Sequence, residues 1–245
     1  MQDRYAGDVG DFVKFGLLRM LCGANAGGLS LGVNWYLAPE ESHNADGKHV
    51  AYLHREQKHH AALKACDAEL LERLAVMVGS GKRSVAALEE VGVLPAGTLT
   101  FSQRLGAMRR HDWHQAALRA LERARLVFLD PDNGVRSTAR DSKDAKFVFP
   151  QEIAAYTARR QSVVVYHHAD RSPGGTQAQL PRLLGQLEEA TGLPPLGSVI
   201  AHRGSRRFFQ IIPAPAHVEL LRAATSAFIA RWSKHVSFFS FGAPG

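Results

Sequence analysis

The chain has only two cysteines, Cys22 and Cys66, which lie far apart and outside any C-x-x-C spacing. That excludes a disulfide framework or a thiolate zinc site and fits a reducing compartment. Long apolar runs are missing as well: none approaches the roughly 18 residues needed to cross a bilayer, and the opening Met1-Gln2-Asp3-Arg4-Tyr5 is polar. The expectation is a cytoplasmic protein with no membrane partner. No Lys/Arg run reaches five residues, and neither an internal repeat nor a low-complexity linker divides the chain. Cys22 falls on an apolar helix face, so no cysteine nucleophile is expected, and no serine nucleophile either.

What is present is enough for one full core: 245 residues, 45% hydrophobic, with a formal net charge of +7 and 12 histidines. The positive balance favours a polyanionic partner, nucleic acid first, because lysines and arginines clustered on phosphates release bound counterions. Basic spots occur at Arg104, Arg109 and Arg110, at Arg136 and Arg140, at Arg159 and Arg160, and at Arg203, Arg206 and Arg207.

Apolar periodicity from Phe12 to Leu21 predicts a helix, capped by Asp8 or Asp11 and ended by Gly23. A strand over 29–37 and a polar loop over 38–47 follow. The pattern then predicts one long helix over 56–79 and another over 82–91. After these, strands at 98–101, 126–129, 162–166, 197–201, 208–212 and 236–239 alternate with helices at 113–123, 149–159, 176–190 and 217–232. The fold class implied is α/β: a Rossmann-like, doubly wound, mostly parallel sheet in a single domain over 1–245. The helical stretch 55–95 interrupts the rhythm and reads as an insertion or lid.

Four places could carry chemistry. Arg125-Leu-Val-Phe-Leu-Asp130-Pro131-Asp132-Asn133-Gly134 is a buried strand delivering two carboxylates and an amide to one tight turn. Asp130 there can accept a proton or a hydrogen bond from an amine, or hold a metal together with Asp132. A calcium loop is excluded, since no Glu occurs between Asp130 and Glu152. Tyr5-Ala6-Gly7-Asp8-Val9-Gly10-Asp11-Phe12-Val13-Lys14 sets two glycines and two acids before a helix, where free N–H groups attract an anion and Lys14 reaches a carboxylate or phosphate. His167 and His168 sit at a third strand end, pointing opposite ways, so both do not serve one metal. Glu40, Glu41, His43, Asp46 and His49 form the loop after the first strand.

Two of these segments, with the order of elements, resemble Rossmann-like methyltransferases, and more narrowly the bacterial ribosomal-RNA adenine methyltransferases of the RlmJ type. Ala6-Gly7, Asp11 and Lys14 stand where that family has an Ala-Gly pair, an Asp and a Lys. Asp130-Pro131-Asp132-Asn133 matches its catalytic Asp-Pro-Pro-Tyr, with Asp132 and Asn133 replacing the second proline and the aromatic that stacks on a flipped base. The loop Asn34-Trp35-Tyr36-Leu37 lacks the glycines usual beside the cofactor. The resemblance implies S-adenosylmethionine as cofactor and a nucleic-acid base amine as substrate. It implies catalytic roles for Asp130, Asp132 and Asn133, and cofactor contacts from Tyr5, Gly7, Asp8, Asp11, Lys14, Asn34 and Tyr36. Two alternatives remain at this point. One is a metal-dependent nuclease or phosphohydrolase using Asp130 and Asp132 with a divalent ion; the other is a non-catalytic nucleic-acid-binding module.

Overall fold

The structure is a computed structural model, and it describes residues 1–23, 28–39, 47, 49–170 and 173–242. Its seven-stranded sheet contains β1 (Leu31–Asn34), β2 (Leu99–Phe101), β3 (Leu126–Leu129), β6 (Ser162–His168), β7 (Gly197–Ala201), β8 (Arg207–Ile212) and β9 (Val236–Ser240). The order across the sheet is β2-β1-β3-β6-β8-β7-β9. β2, β1, β3, β6 and β7 run one way, and β8 and β9 run the other. The α/β, mostly parallel architecture read from the alternation is therefore the observed one, with antiparallel strands confined to the β8–β9 side.

Strand alternation divides the core into two layers. Leu31 and Val33, Leu126 and Phe128, and Val164 face one layer, while Val127 and Leu129, with Val163 and Val165, face the other. The first layer is covered by α1 (Val9–Cys22), α3 (Ala68–Gly79) and α8 (Val218–Trp232), the second by α5 (Arg110–Ala120), α6 (Pro150–Thr157) and α7 (Gly175–Thr191). Each fully buried Leu, Val or Phe in these layers contributes roughly 1.5–3 kcal/mol of transfer free energy. Gly16 allows α1 to press against Trp232, because a Cβ there would run into the indole ring.

Two local outcomes, a divided helix and an added ribbon, differ from the expected pattern. The single helix over 56–79 is two, α2 (His60–Cys66) and α3, because Asp67 adopts an extended conformation and caps α3 by accepting from Leu70 N at 2.9 Å. Residues 55–95 pack Leu63, Leu70, Leu71, Leu74, Met77 and Leu88 into the same core as α1. They include α4 (Val85–Glu90) and form a covering layer on the sheet. A small parallel ribbon also joins β4 (Gly134–Val135) to β5 (Phe147–Val148), directly after the Asp130 turn.

Candidate functional site

The chain moves from β1 outward to β2 and returns to β3 on the other side of β1, which places a topological switch point at the carboxyl ends of β1 and β3. Beside it, over the carboxyl ends of β3 and β6, opens a cleft of about 480 Å³. That volume falls within the range of small-molecule sites. Asp130, Asp132 and Asn133 line it together with Tyr5, Asp8, Asp11 and Lys14. The acidic turn and the N-terminal segment, distant in sequence, thus share one cavity that no residue of 55–95 lines.

Its centre is a buried charge triad. Lys14 Nζ donates to Asp11 Oδ1 at 2.7 Å and to Asp130 Oδ2 at 2.8 Å, and all three side chains are nearly inaccessible. Burial pulls the Lys14 ammonium down, yet the two carboxylates outweigh it and hold its pKa above the ordinary lysine value. Burial pushes Asp11 up, opposed by Lys14 and reinforced by the nearby charges of Asp130 and Asp8. The rings of Phe15, Trp35 and Tyr166 lie 5.4, 5.9 and 6.0 Å from the ammonium, close enough for cation–π attraction.

The glycines and the helix start serve the protein itself. Asp8 caps α1 by accepting from Gly10 N at 2.7 Å, and Asp11 Oδ2 accepts from Gly7 N at 2.8 Å. The N–H groups expected to welcome an external anion are thereby satisfied internally. Gly10 makes room for the Arg207 guanidinium, which pairs with Asp8 at 2.9 Å, while Gly7 takes a φ of +81° and lies against Met77 and Val78. Arg207 arrives from β8, where antiparallel pairing sets it opposite His168.

Asp132 is also committed. The Met1 ammonium lies 2.6 Å from its Oδ1 and directs hydrogen bonds to the carbonyls of Tyr36 (3.0 Å) and Asp130 (2.9 Å), while Gln2 Nε2 donates to Asp132 Oδ2. Met1 therefore bridges the ends of β1 and β3 at the switch point.

Asn34 and Tyr36, expected at the cofactor, turn to the opposite layer and do not line the cleft. Asn34 Nδ2 donates to the Tyr156 hydroxyl at 3.2 Å, and its Oδ1 accepts from Tyr36 N, holding Tyr36 at a φ of +43°. The Tyr36 hydroxyl donates to Glu152, which also binds Arg110 through both carboxylate oxygens. The reason is the strand period: these positions follow the buried faces of β1 rather than its open end. Glu40, Glu41, His43 and Asp46 lie outside the described residues; His49 lines the cleft.

Sequence reasoning did not place Tyr166, Ser205 or Arg207 in the cleft. Arg207 was visible only as a basic spot, since nothing local signals that β8 inserts between β6 and β7. The expected absence of a G-x-S-x-G motif does not hold, because Gly28-Leu29-Ser30-Leu31-Gly32 spells one. Ser30 is nevertheless at the amino end of β1, donating to Arg123 O and accepting from Arg125 N, so it forms no nucleophile elbow. The buried Ser162–His217 pair, 2.9 Å apart, is equally inert: Arg125 donates to His217 Nε2, which leaves the ring proton on Nδ1 to be donated to Ser162 Oγ. A base that already gives its proton to the serine cannot activate it.

No family model and no curated protein matches this chain.

Proposed function

We propose that the protein is an S-adenosylmethionine-dependent methyltransferase acting on an amine of a nucleic-acid base. The observation that carries this is the position of Asp130 and Asn133, at the carboxyl end of a central strand beside the switch point, on a cleft shared with the start of α1.

The lining suits a zwitterionic, sulfonium-bearing cofactor. The Asp8–Arg207 pair on the cleft wall presents both signs of charge to such a zwitterion, and Tyr5 and Tyr166 offer ring faces. Because Met1 closes the gap between β1 and β3, these residues, rather than the β1 loop, would hold it. When bound, it supplies an electrophilic methyl group.

The chain's own part is alignment. Asp130 accepts a hydrogen bond from the substrate amine and so orients the nitrogen lone pair, while Lys14 keeps the Asp130 carboxylate in place. The Asn133 side chain has no hydrogen-bond partner among the described residues and supplies a further acceptor at the turn. Positioning of this kind, with water excluded, is the main requirement for transfer from a sulfonium.

The donor set disfavours the metal-dependent alternative. Lys14 Nζ occupies the point between Asp11 and Asp130, Asp132 is taken by Met1, and among the described residues no group of three His, Cys, Asp or Glu is placed to hold a metal.

Thermal unfolding of the full chain with S-adenosylmethionine or S-adenosylhomocysteine tests the proposal. A ligand at 100 times its Kd adds about 2.7 kcal/mol, a midpoint rise of about 5–10 °C for a domain of this size. Asp130→Asn should keep the rise but lose methyl incorporation into RNA or DNA, whereas Arg207→Gln should lose both. An unchanged midpoint at millimolar adenosyl ligand would leave the non-catalytic module standing instead.

A further inference from the structure

A second cleft, of about 570 Å³, lies on the other side of the Asp130 turn and meets the first at Asn133 and His168, which line both. Its charged lining is three arginines, Arg136, Arg140 and Arg182, against Asp170.

The arginines are not equivalent. Arg136 is engaged, pairing with Asp144 at 2.7 Å and with Asp141 at 3.3 Å while its guanidinium lies 3.7 Å above the Phe147 ring. Arg140 and Arg182 are exposed and make no ion pair among the described residues. Two guanidiniums without an ion pair, lining one cleft against the single carboxylate of Asp170, leave it with a positive excess that an anion would balance.

His167 adds a directed donor. Its Nδ1 lies 3.0 Å from Val135 N, a group that can only donate, so the ring proton is on Nε2. Burial holds the His167 pKa down at about 4, and the ring is neutral at physiological pH. Gly134 is what permits this arrangement, because a Cβ at that position would collide with the imidazole. The cleft thus presents two cations and a neutral N–H, a set suited to an acceptor-rich monoanion. At the wall shared with the first cleft stands the unpartnered carboxamide of Asn133.

We propose that the second cleft seats a backbone phosphodiester of a nucleic-acid strand, between Arg140 and Arg182, next to the nucleotide whose base enters the first cleft over Asn133. This rests on the nucleic-acid substrate assigned above. Phosphate contacts of this kind set register without reading sequence.

The test is fluorescence anisotropy of labelled 12-nucleotide RNA and DNA single strands over a salt series. It compares the unaltered full chain with Arg140→Gln, Arg182→Gln, the double variant, and Arg222→Gln as a surface control on α8. Each cleft substitution should lower the slope of log affinity against log salt by about 0.7. Arg222→Gln should leave the slope unchanged, and Arg182→Lys should restore it. All variants should keep the same midpoint shift with S-adenosylhomocysteine, so the cofactor assignment is scored separately. Equal slopes in every protein would overturn the proposal alone. So would competition by inorganic phosphate or a mononucleotide as effective as that of the strand, since the cleft would then take a small phosphate. Failure of the unaltered chain to bind either strand would overturn it together with the nucleic-acid substrate.

Discussion

Replacing Lys14 by methionine should unbalance the centre of the first cleft. The ammonium makes two contacts of 2.7 and 2.8 Å, each a gross attraction of about 6 kcal/mol at an effective dielectric near 20. Most of that is offset by the cost of burying three charges, so the net loss is expected at about 3–5 kcal/mol, the usual result of leaving a buried charge unpaired. Asp11 and Asp130 would then face each other, and one carboxyl would take up a proton. Because the folded Asp11 pKa is already raised, protonation favours the folded state. The variant's deficit should therefore shrink as pH is lowered from neutral toward the carboxylate range and be relieved in part by adding Asp11→Asn. In the unaltered chain the Lys14 contribution is complete below the ordinary lysine pKa of 10.5 and is lost as pH rises through its elevated folded value. Urea unfolding followed by the fluorescence of the buried Trp35, Trp113 and Trp232 reads both effects. An unchanged midpoint in Lys14→Met, or a deficit independent of pH, would refute the triad as a balanced charge unit.

Gly134→Ala combines a φ of +113° with a clash against His167, and should cost more than about 1 kcal/mol while displacing the Asn133 turn. A thermal scan together with adenosyl-ligand binding measures both consequences. His167 has a folded pKa of about 4, below its ordinary 6.5, so its neutral form is lost in the unfolded chain first. Stability should fall as pH drops through that window, with a slope of at most about 1.4 kcal/mol per pH unit. In His167→Gln, chemical unfolding across pH 4–7 should show that part of the acid limb flattened. Glu152→Ala removes the partner of Arg110 and Tyr36 and the acceptor for Phe149 N, and should destabilise by about 3–5 kcal/mol in calorimetry while leaving strand binding by the folded fraction intact.

Much of the architecture is legible because its signals are local. Four consecutive apolar residues at β3, three valines in β6 and the capped helix α1 declare themselves within a dozen residues, and strand period then fixes which face each side chain meets. The junction of Asp130 with Lys14 follows from the fold class, since strand ends and the first helix converge at a switch point. Other features are invisible for the opposite reason. Asp67 is an ordinary surface acid until its side chain turns back to cap a helix, and Asn34 is a polar residue at a strand end until Tyr156 claims it from the far layer. Arg207 reaches the cleft only because β8 is threaded between two strands, a nonlocal choice with no signature of its own.

The ion pair of Asp8 with Arg207 joins positions 199 residues apart. While the ribosome is still extending the chain, the capped first helix can form, yet the wall opposite it does not exist. Contacts of such high order close late and slowly. Any activity in this cleft accordingly belongs to finished molecules: a nascent or truncated product lacking β8 would carry every acidic and lysine group of the centre and still be unable to enclose a ligand.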